Sequence, residues 1–486
     1  MILLFAVLLI LAAFCTKLSS RLEIPGLIVF LALGMLVGSD GFNLVYFDDP
    51  IRAQQIAIAF MIFILFEGGF NTREDLLEIA FKPAFSLATI GIIITAVTLG
   101  LVSHWLIGLP LESAFLIGAI ISSTDAAAIF AIFRDKSVQA KTTATLEVES
   151  ASNDPMAIIL TIAIIDTIQG NIPGPAAFIG NLTWQIIGGL AIGFIVGKIA
   201  PYIINRIKLD SGGFYYVLLT GFCFLSYGLA DTIHSNGYLA VFIAGCFIGN
   251  TDFVYKQGIK RFLEGLSTFS LVSLFLMLGL LVFPSELLGT WKHGIVIALI
   301  LMFIARPVAV FLCTMFWPYT LKEKLFLCWG GIKGAIPIVL ATYPYVAGLE
   351  GGSYYFNVVF FVVVLSALIQ GSSIDLVAEK LGLLTAAKPS SPYAFEIVAL
   401  QETESELIEY LVEKDSPLVN KSLQDLTLPE NSLITAIVRK EEIITPRGDT
   451  IIKPRDILFI LVQYKDKDQL LDILEHPEQE VAIRAT

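Results

Sequence analysis

Glu149-Ser150-Ala151-Ser152-Asn153-Asp154-Pro155 stands inside a stretch otherwise apolar enough to cross a membrane. An ionisable side chain in hydrocarbon is costly, so it marks function more often than packing. The segment gathers two carboxylates, a carboxamide and two hydroxyls in about two helical turns. Ser150 and Asp154 are four apart and share a helix face, as do Glu149 and Asn153. Glu149 and Asp154 are five apart and point in different directions. One carboxylate can therefore face an ion path while the other is held by an internal partner. A carboxylate taken out of water must have its charge met. Asp154 meets it with a proton or with a dehydrated alkali cation, never both at once, and that competition is sufficient chemistry for exchange. Asn153 is neutral, so a single proton moves at this pair.

The elements that must position these groups are membrane helices. The chain is 56% hydrophobic and only 15% charged, with positive mean hydropathy. That is the composition of an all-α polytopic membrane protein, not of a soluble enzyme. Apolar runs suited to about 30 Å of hydrocarbon recur near 1–16, 25–40, 51–70, 83–107, 112–134, 144–168, 178–205, 213–233, 237–250, 260–283, 292–317, 324–347 and 354–380. This makes about thirteen transmembrane helices. The stretch from Met1 to Phe14 lacks a basic start and a small-residue cleavage site, so it reads as the first membrane helix and not as a signal peptide. Basic residues fall in alternate loops: Lys17 and Arg21; Arg73 and Lys82; Arg134, Lys136 and Lys141; Arg206 and Lys208; Lys256, Lys260 and Arg261; Lys322 and Lys324. The positive-inside rule places those loops in the cytoplasm, hence an N-terminus outside and a C-terminus inside.

Two runs are interrupted: the fifth by Ile121-Ser122-Ser123-Thr124-Asp125, and the twelfth by Gly330-Gly331-Ile332-Lys333-Gly334-Ala335-Ile336-Pro337. Irregular backbone at membrane depth persists only where protein buries it or where it lines a cavity. Breaks about seven helices apart fit two inverted six-helix repeats joined by one helix, with crossed broken helices meeting at an ion site. Oxygens around Thr124 and Asp125 then supply the shell of a cation at Asp154, and Ser150 completes it from one turn away.

Other chemistry is thin. Cys15, Cys223, Cys246, Cys313 and Cys328 fall in apolar segments without ligand spacing, and the four histidines are scattered. No metal centre and no cofactor is expected beyond the transported ion. The formal charge of −12 is concentrated at the end of the chain, where nineteen acidic and ten basic residues lie from Pro389 onward. The expected plan is a membrane domain over 1–384, a linker over 385–393, and a small cytoplasmic α+β domain over 394–486. Strands are expected at Phe395–Leu400, Leu407–Val412, Leu433–Val438 and Ile457–Val462, and helices at Ser422–Leu426 and Lys467–Leu474. A glycine-rich dinucleotide fingerprint is missing, and the basic residues are too evenly spread for nucleic-acid binding.

Five motifs occur in order: Leu65-Phe-Glu-Gly-Gly69, Ser122-Ser-Thr-Asp125, Glu149-Ser-x-x-Asn-Asp154, Ala305-Arg-Pro307 and Gly331-Ile-Lys-Gly-Ala335. Together they resemble the monovalent cation:proton antiporters, first subfamily, the NhaP-like group, over residues 1–381. The resemblance implies that Asn153 and Asp154 are the pair that marks electroneutral exchange of one cation for one proton. It places the ion at Thr124, Asp125, Ser150 and Asp154. It makes Glu67 a carboxylate near the cytoplasmic funnel, and Glu149 and Arg306 a buried ion pair. Physics agrees on the pair, because either charge alone at mid-membrane is untenable. Lys333 departs from the arginine usual in that family's Gly-x-Arg-Gly-Ala pattern. A lysine brings a point charge and not a fork, suited to offsetting the dipoles of broken helices.

The tail has its own resemblance. Ser416-Pro-Leu-Val-Asn-Lys-Ser-Leu-Gln-Asp-Leu, Ile437-Val-Arg439, Pro446-Arg-Gly-Asp-Thr450 and Asp456-Ile-Leu458 look like the C-terminal lobe of regulator-of-potassium-conductance domains, the TrkA-C type. In Lys453-Pro-Arg-Asp456 an arginine stands where that family usually has glycine. The resemblance implies a homodimer and a small regulatory ligand such as a cyclic dinucleotide. The expected protein is a regulated, electroneutral K⁺/H⁺ antiporter of a prokaryotic inner membrane, with Na⁺ or Li⁺ as the alternative cation. The residues leave that choice open, since all three ions use the same oxygen ligands. A regulated cation channel would need a repeated filter of the Thr-Val-Gly-Tyr-Gly kind, which the chain lacks. An enzyme built on Asp125 and Asp154 would lack a nucleophile, a metal cluster or a nucleotide loop.

Overall fold

The structure, a computed structural model, describes residues 2–474 apart from 23–25, 48, 73, 126–135, 172–173, 208, 210, 387–404, 413–415, 417, 427, 430, 441, 467–468 and 471–472. It divides into two units, one of residues 1–252 and 259–385 and one of residues 253–258 and 386–486.

The first unit is helical. Its helices are α1 (Ile2–Leu22), α2 (Gly26–Val37), α3 (Pro50–Asn71), α4 (Glu74–Ser86), α5 (Ile92–Ile107), α6 (Leu111–Ile120), α7 (Ala140–Ile168), α8 (Pro175–Arg206), α9 (Gly212–Thr232), α10 (Gly237–Gly249), α11 (Lys256–Leu280), α12 (Pro284–Ile300), α13 (Arg306–Cys313), α14 (Leu321–Trp329), α15 (Ala335–Leu340), α16 (Tyr343–Val346), α17 (Gly352–Ser366) and α18 (Ser372–Leu381). Eight helical runs among the described residues are long and apolar enough to cross a membrane, and five further apolar helices are shorter. Local chemistry sets many ends. Proline at the first helical position opens α3, α8 and α12, where its missing N–H costs nothing. Asn236 caps α10 by accepting from the Leu239 amide at 2.7 Å. Thr320 and Glu323 form a reciprocal capping box on α14.

The interrupted spans have a structural cause. α6 ends at Ile120 and α14 at Trp329, and each is followed by non-helical backbone. The twelfth span breaks a second time, at Ala341 and Thr342, so its far half is the two short helices α15 and α16. The eleventh span starts at Pro284, earlier than the expected 292, because the proline and first-turn Glu286 favour a helix start that hydropathy under-reads. Three π-helical turns, Leu87–Gly91, Ala305 back to Leu301, and Ala367–Gly371, join α4 to α5, α12 to α13 and α17 to α18. Hydropathy carries no signal for such turns. Close helix approach rests on small residues: Gly245 and Gly249 of α10 face α3, and a Cβ on Gly245 would lie 2.5 Å from the Phe66 carbonyl oxygen.

In the second unit a four-stranded antiparallel sheet runs in the order 405–411, 457–463, 432–439 and 442–444. Its strands are β3 (Ser405–Leu411), β4 (Ser432–Arg439), β5 (Glu442–Ile444) and β6 (Ile457–Gln463). β1 (Lys136–Val138) and β2 (Leu384–Ala386) form a separate pair. Three expected strands coincide with β3, β4 and β6, β5 was not anticipated, and Phe395–Leu400 lies outside the described residues, as does most of the expected linker. The expected helix at Ser422–Leu426 is a single 3₁₀ turn, Leu423–Asp425. Residues 469–470 and 473–474 are helical, and the rest of the expected helix Lys467–Leu474 lies outside the description. Ile437, Leu458, Ile460 and Leu418 build the core on one face of the sheet.

Asp456 pins the domain. It is fully buried and accepts from Arg439 Nε at 2.8 Å and from Arg439 Nη2 at 2.7 Å, and from the Lys453 amide at 2.8 Å. Donating to the Asp456 carboxylate raises the Arg439 guanidinium pKa above its ordinary value. Arg455, standing in the place of the customary glycine, has φ of +68°. That left-handed backbone explains the glycine preference and costs a non-glycine residue about 1–2 kcal/mol. Arg455→Gly is therefore expected to stabilise the domain by about 0.5–1 kcal/mol, after the greater flexibility of glycine in the unfolded chain is deducted. Slower amide hydrogen exchange in β4 and β6 of the full-length protein is the readout; faster exchange would contradict it.

Candidate functional site

The two breaks meet. The Asp125 amide donates to the Ile332 carbonyl at 2.7 Å, tying the end of α6 to the end of α14. Both stretches have left their helices, so their backbone groups need partners that are not helical. Lys333 supplies two of them. Its buried ammonium donates to the Ser123 carbonyl at 2.8 Å and the Ser122 carbonyl at 3.2 Å. These carbonyls lie two and three residues past the end of α6, so a positive charge there also opposes the negative end of the helix dipole. The Lys333 amide donates to Ser366 Oγ at 3.1 Å, Ser366 donates to Gln370 Oε1 at 2.6 Å, and Gln370 donates to the Trp329 carbonyl at 3.0 Å. Ser366 and Gln370 flank and occupy the π-helical turn after α17. The sequence reading missed both, although polar residues in an apolar run were a usable signal.

α7 packs its acidic segment against the first break. Asn153 Oδ1 accepts from the Thr124 amide at 3.3 Å and Asn153 Nδ2 donates to Thr124 Oγ1 at 2.6 Å. Ser150 Oγ donates to the Thr124 carbonyl at 2.9 Å. Asp154 lies beside Ser123, Asp125 and Lys333. Asp125 reaches Gly334, where a Cβ would collide with its carboxylate. Exposure divides these residues in a useful way. Thr124, Asn153 and Lys333 are buried, whereas Asp125, Ser150 and Asp154 remain partly exposed. Pro155 lies inside α7 and has no N–H to donate to the Ala151 carbonyl one turn back.

Glu149 points elsewhere, as its five-residue offset from Asp154 requires. Arg306, the first residue of α13, donates to both carboxylate oxygens of Glu149, at 2.9 Å from Nη2 and more closely from Nη1. Nη2 also donates to the Leu327 carbonyl at 3.1 Å. The two side chains are only 1% and 6% exposed. Gly331 makes room for the fork, because a Cβ there would stand 2.6 Å from Arg306 Nε. Glu67 is not part of this cluster. It accepts from Asn71 one turn on along α3 and lies near Ser267, Glu264 and Lys260 of α11.

Comparison with known proteins agrees in outline with this geometry. The family described as sodium/hydrogen exchanger, transmembrane, matches residues 6–380, and the TrkA-C domain matches residues 407–475. The chain is 35% identical over 478 residues to the K(+)/H(+) antiporter NhaP of Alkalimonas amylolytica, covering 97% of this chain and 83% of that protein. It is 35% identical over 463 residues to the K(+)/H(+) antiporter NhaP2 of Shewanella sp. (strain MR-4), covering 94% and 80%. The structure of the sodium proton antiporter MjNhaP1 from Methanocaldococcus jannaschii at pH 8 superposes with a TM-score of 0.69 and 25% identity, over 78% of this chain and 98% of that one.

Glu149 and Arg306 are expected to behave as a coupled pair. Removing one partner leaves the other charge buried, at a cost of about 3–5 kcal/mol. Glu149→Gln and Arg306→Met should each lower the melting temperature of the purified protein, and the double substitution should recover part of the loss. Additive losses in a double-mutant cycle would show that the hydrogen bonds do not couple the two residues energetically.

Proposed function

We propose that this chain, which belongs to the sodium/hydrogen exchanger family, exchanges one K⁺ for one H⁺ at Asp154. It is a multi-pass cation/proton antiporter that carries a TrkA-C domain. The ion, the stoichiometry, the site and its control are our reading. The observation that carries it is the division of labour on α7: Asn153 is buried and spent on bracing Thr124, while its neighbour Asp154 sets its carboxylate beside Ser123, Asp125 and Lys333, where the two breaks cross. With a proton or with a cation, that carboxylate is neutralised and can move between the two sides. Empty, it is an unmatched charge in a low-dielectric surround and is held back. Exchange is then obligatory, and one carboxylate that swaps one proton for one cation moves no net charge. Asp125, Ser150 and Thr124 supply the remaining oxygens, Glu67 stands at the cytoplasmic approach, and Lys333 holds the crossing of the breaks together.

Potassium is favoured by the relatives that share the whole plan. Those aligned over nearly all of this chain carry the name K(+)/H(+) antiporter. The relative from Methanocaldococcus jannaschii named Na(+)/H(+) antiporter 1 aligns over 69% of it. We further read the membrane domain as thirteen crossings in two inverted repeats, within a homodimer in a prokaryotic inner membrane, N-terminus outside. The C-terminal domain is its cytoplasmic regulator. Support for regulation comes from β1, which pairs with β2, and from the Gln139 amide, which donates to the Leu383 carbonyl at 3.3 Å. The chain leading out of the membrane unit is thereby tied to the residues that begin α7. A ligand acts through such a tie by binding one transport conformation better than another.

Asp154→Asn is expected to abolish exchange at normal protein levels. In everted vesicles loaded with K⁺, Na⁺ or Li⁺, acidification should raise the apparent KM for the cation, because protons compete for the same carboxylate. An imposed membrane potential should leave the rate unchanged. Cation-driven proton flux in the substituted protein would remove Asp154 from this role, and steep voltage dependence would remove one-for-one exchange.

Truncation after Ala387 is expected to keep exchange, to shift its rate or pH profile, and to abolish any response to cyclic dinucleotides, the first ligands to test. An identical rate and profile would reduce the domain to an assembly module.

A further inference from the structure

The first break contains three hydroxyls, and two are engaged. Ser122 Oγ donates to the Ala119 carbonyl at 2.7 Å, and Thr124 Oγ1 accepts from Asn153 Nδ2 at 2.6 Å. The third, Ser123 Oγ, is buried in a residue only 1% exposed, and it has no hydrogen-bond partner among the described residues. Its carbonyl is already taken by Lys333 at 2.8 Å, so the residue is held in place by its backbone. Its side chain lies next to the Asp154 carboxylate, and the contact between them falls short of a well-formed hydrogen bond, so Asp154 is the one group the hydroxyl addresses among the described residues. A buried hydroxyl without a partner is unfavourable, and in a native protein such an atom calls for an explanation. A hydroxyl is also able to reverse its role, donating to a bare carboxylate or turning an oxygen lone pair toward a cation.

We propose that Ser123 Oγ is a further ligand of the transported cation, a neutral oxygen that helps set the preference among alkali ions. This rests on Asp154 being the exchange site. Two carboxylates, those of Asp154 and Asp125, supply charge but discriminate poorly between ions of equal charge. Discrimination comes from the number and placement of the neutral oxygens that replace the hydration shell. Ser123 is placed by the fixed backbone of the crossing, unlike a ligand carried on a loop, and so its oxygen stands at a set distance from Asp154.

The test uses the full-length protein in vesicles. Ser123→Ala is expected to raise the cation KM by about tenfold, the worth of one neutral ligand, to change the K⁺/Na⁺ ratio, and to leave the maximal rate at saturating cation largely intact. Ser123→Cys replaces a hard oxygen with soft sulfur and should shift preference from K⁺ toward Tl⁺, a softer ion of similar size. Thr161→Val on α7 deletes another buried hydroxyl without a partner among the described residues, and should leave KM and ion preference unchanged. An unaltered KM and ion ratio in Ser123→Ala, with the unsubstituted protein active, overturns the assignment of Ser123 alone. An equal effect from Thr161→Val reduces it to general loosening. Absence of exchange in the unsubstituted protein overturns both this assignment and the function proposed above.

Discussion

Backbone that leaves a helix inside a membrane has no water to turn to, and each polar group stranded there costs several kcal/mol. The crossing of residues 121–125 with 330–334 is the place where this protein meets that constraint. One backbone hydrogen bond, from Asp125 to Ile332, joins the two stretches. One lysine covers the Ser122 and Ser123 carbonyls past the end of α6, and a relay of Ser366 and Gln370 accepts from the Lys333 amide and covers the Trp329 carbonyl at the end of α14. With these backbone groups paired, the side chains of Asp125 and Asp154 are not needed to repair the breaks. The π-helical turn beside Gln370 fits this account, since such turns re-aim side chains at functional places.

Charge is handled by separating what must stay from what must change. Glu149 and Arg306 neutralise each other at bidentate distance and take no part in the exposed face of α7. Lys333 is spent on carbonyls. Asp154 has no such fixed bidentate partner among the described residues and lies beside Asp125 and Lys333, which suits the exchange proposed for it. The lysine suits its task better than an arginine would, because two adjacent carbonyls at a helix end offer a point-charge site and no planar acceptor for a fork. The same economy recurs in the C-terminal domain, where a single buried carboxylate, Asp456, anchors Arg439 and the turn at Lys453 while strained Arg455 bears the backbone conformation.

Much of this is legible in the residues alone. Helical periodicity assigns Ser150 with Asp154 and Glu149 with Asn153 to their faces. Hydropathy locates the membrane runs and the two interruptions, and the cost of a lone buried charge demands a partner for both Glu149 and Arg306. These signals are local, or rest on energies too large to leave unmet. Tertiary structure alone decided which carbonyls Lys333 reaches, that Ser366 and Gln370 complete the crossing, that Ser123 lies beside Asp154, and that π turns join three pairs of helices. The physical reason is that the partner of a polar group freed from a helix is chosen by how two segments some two hundred residues apart pass each other. Neither segment carries that angle or register in its own pattern. The glycine-to-arginine departure at Arg455 was visible as an anomaly, but only its positive φ gave the anomaly a cause.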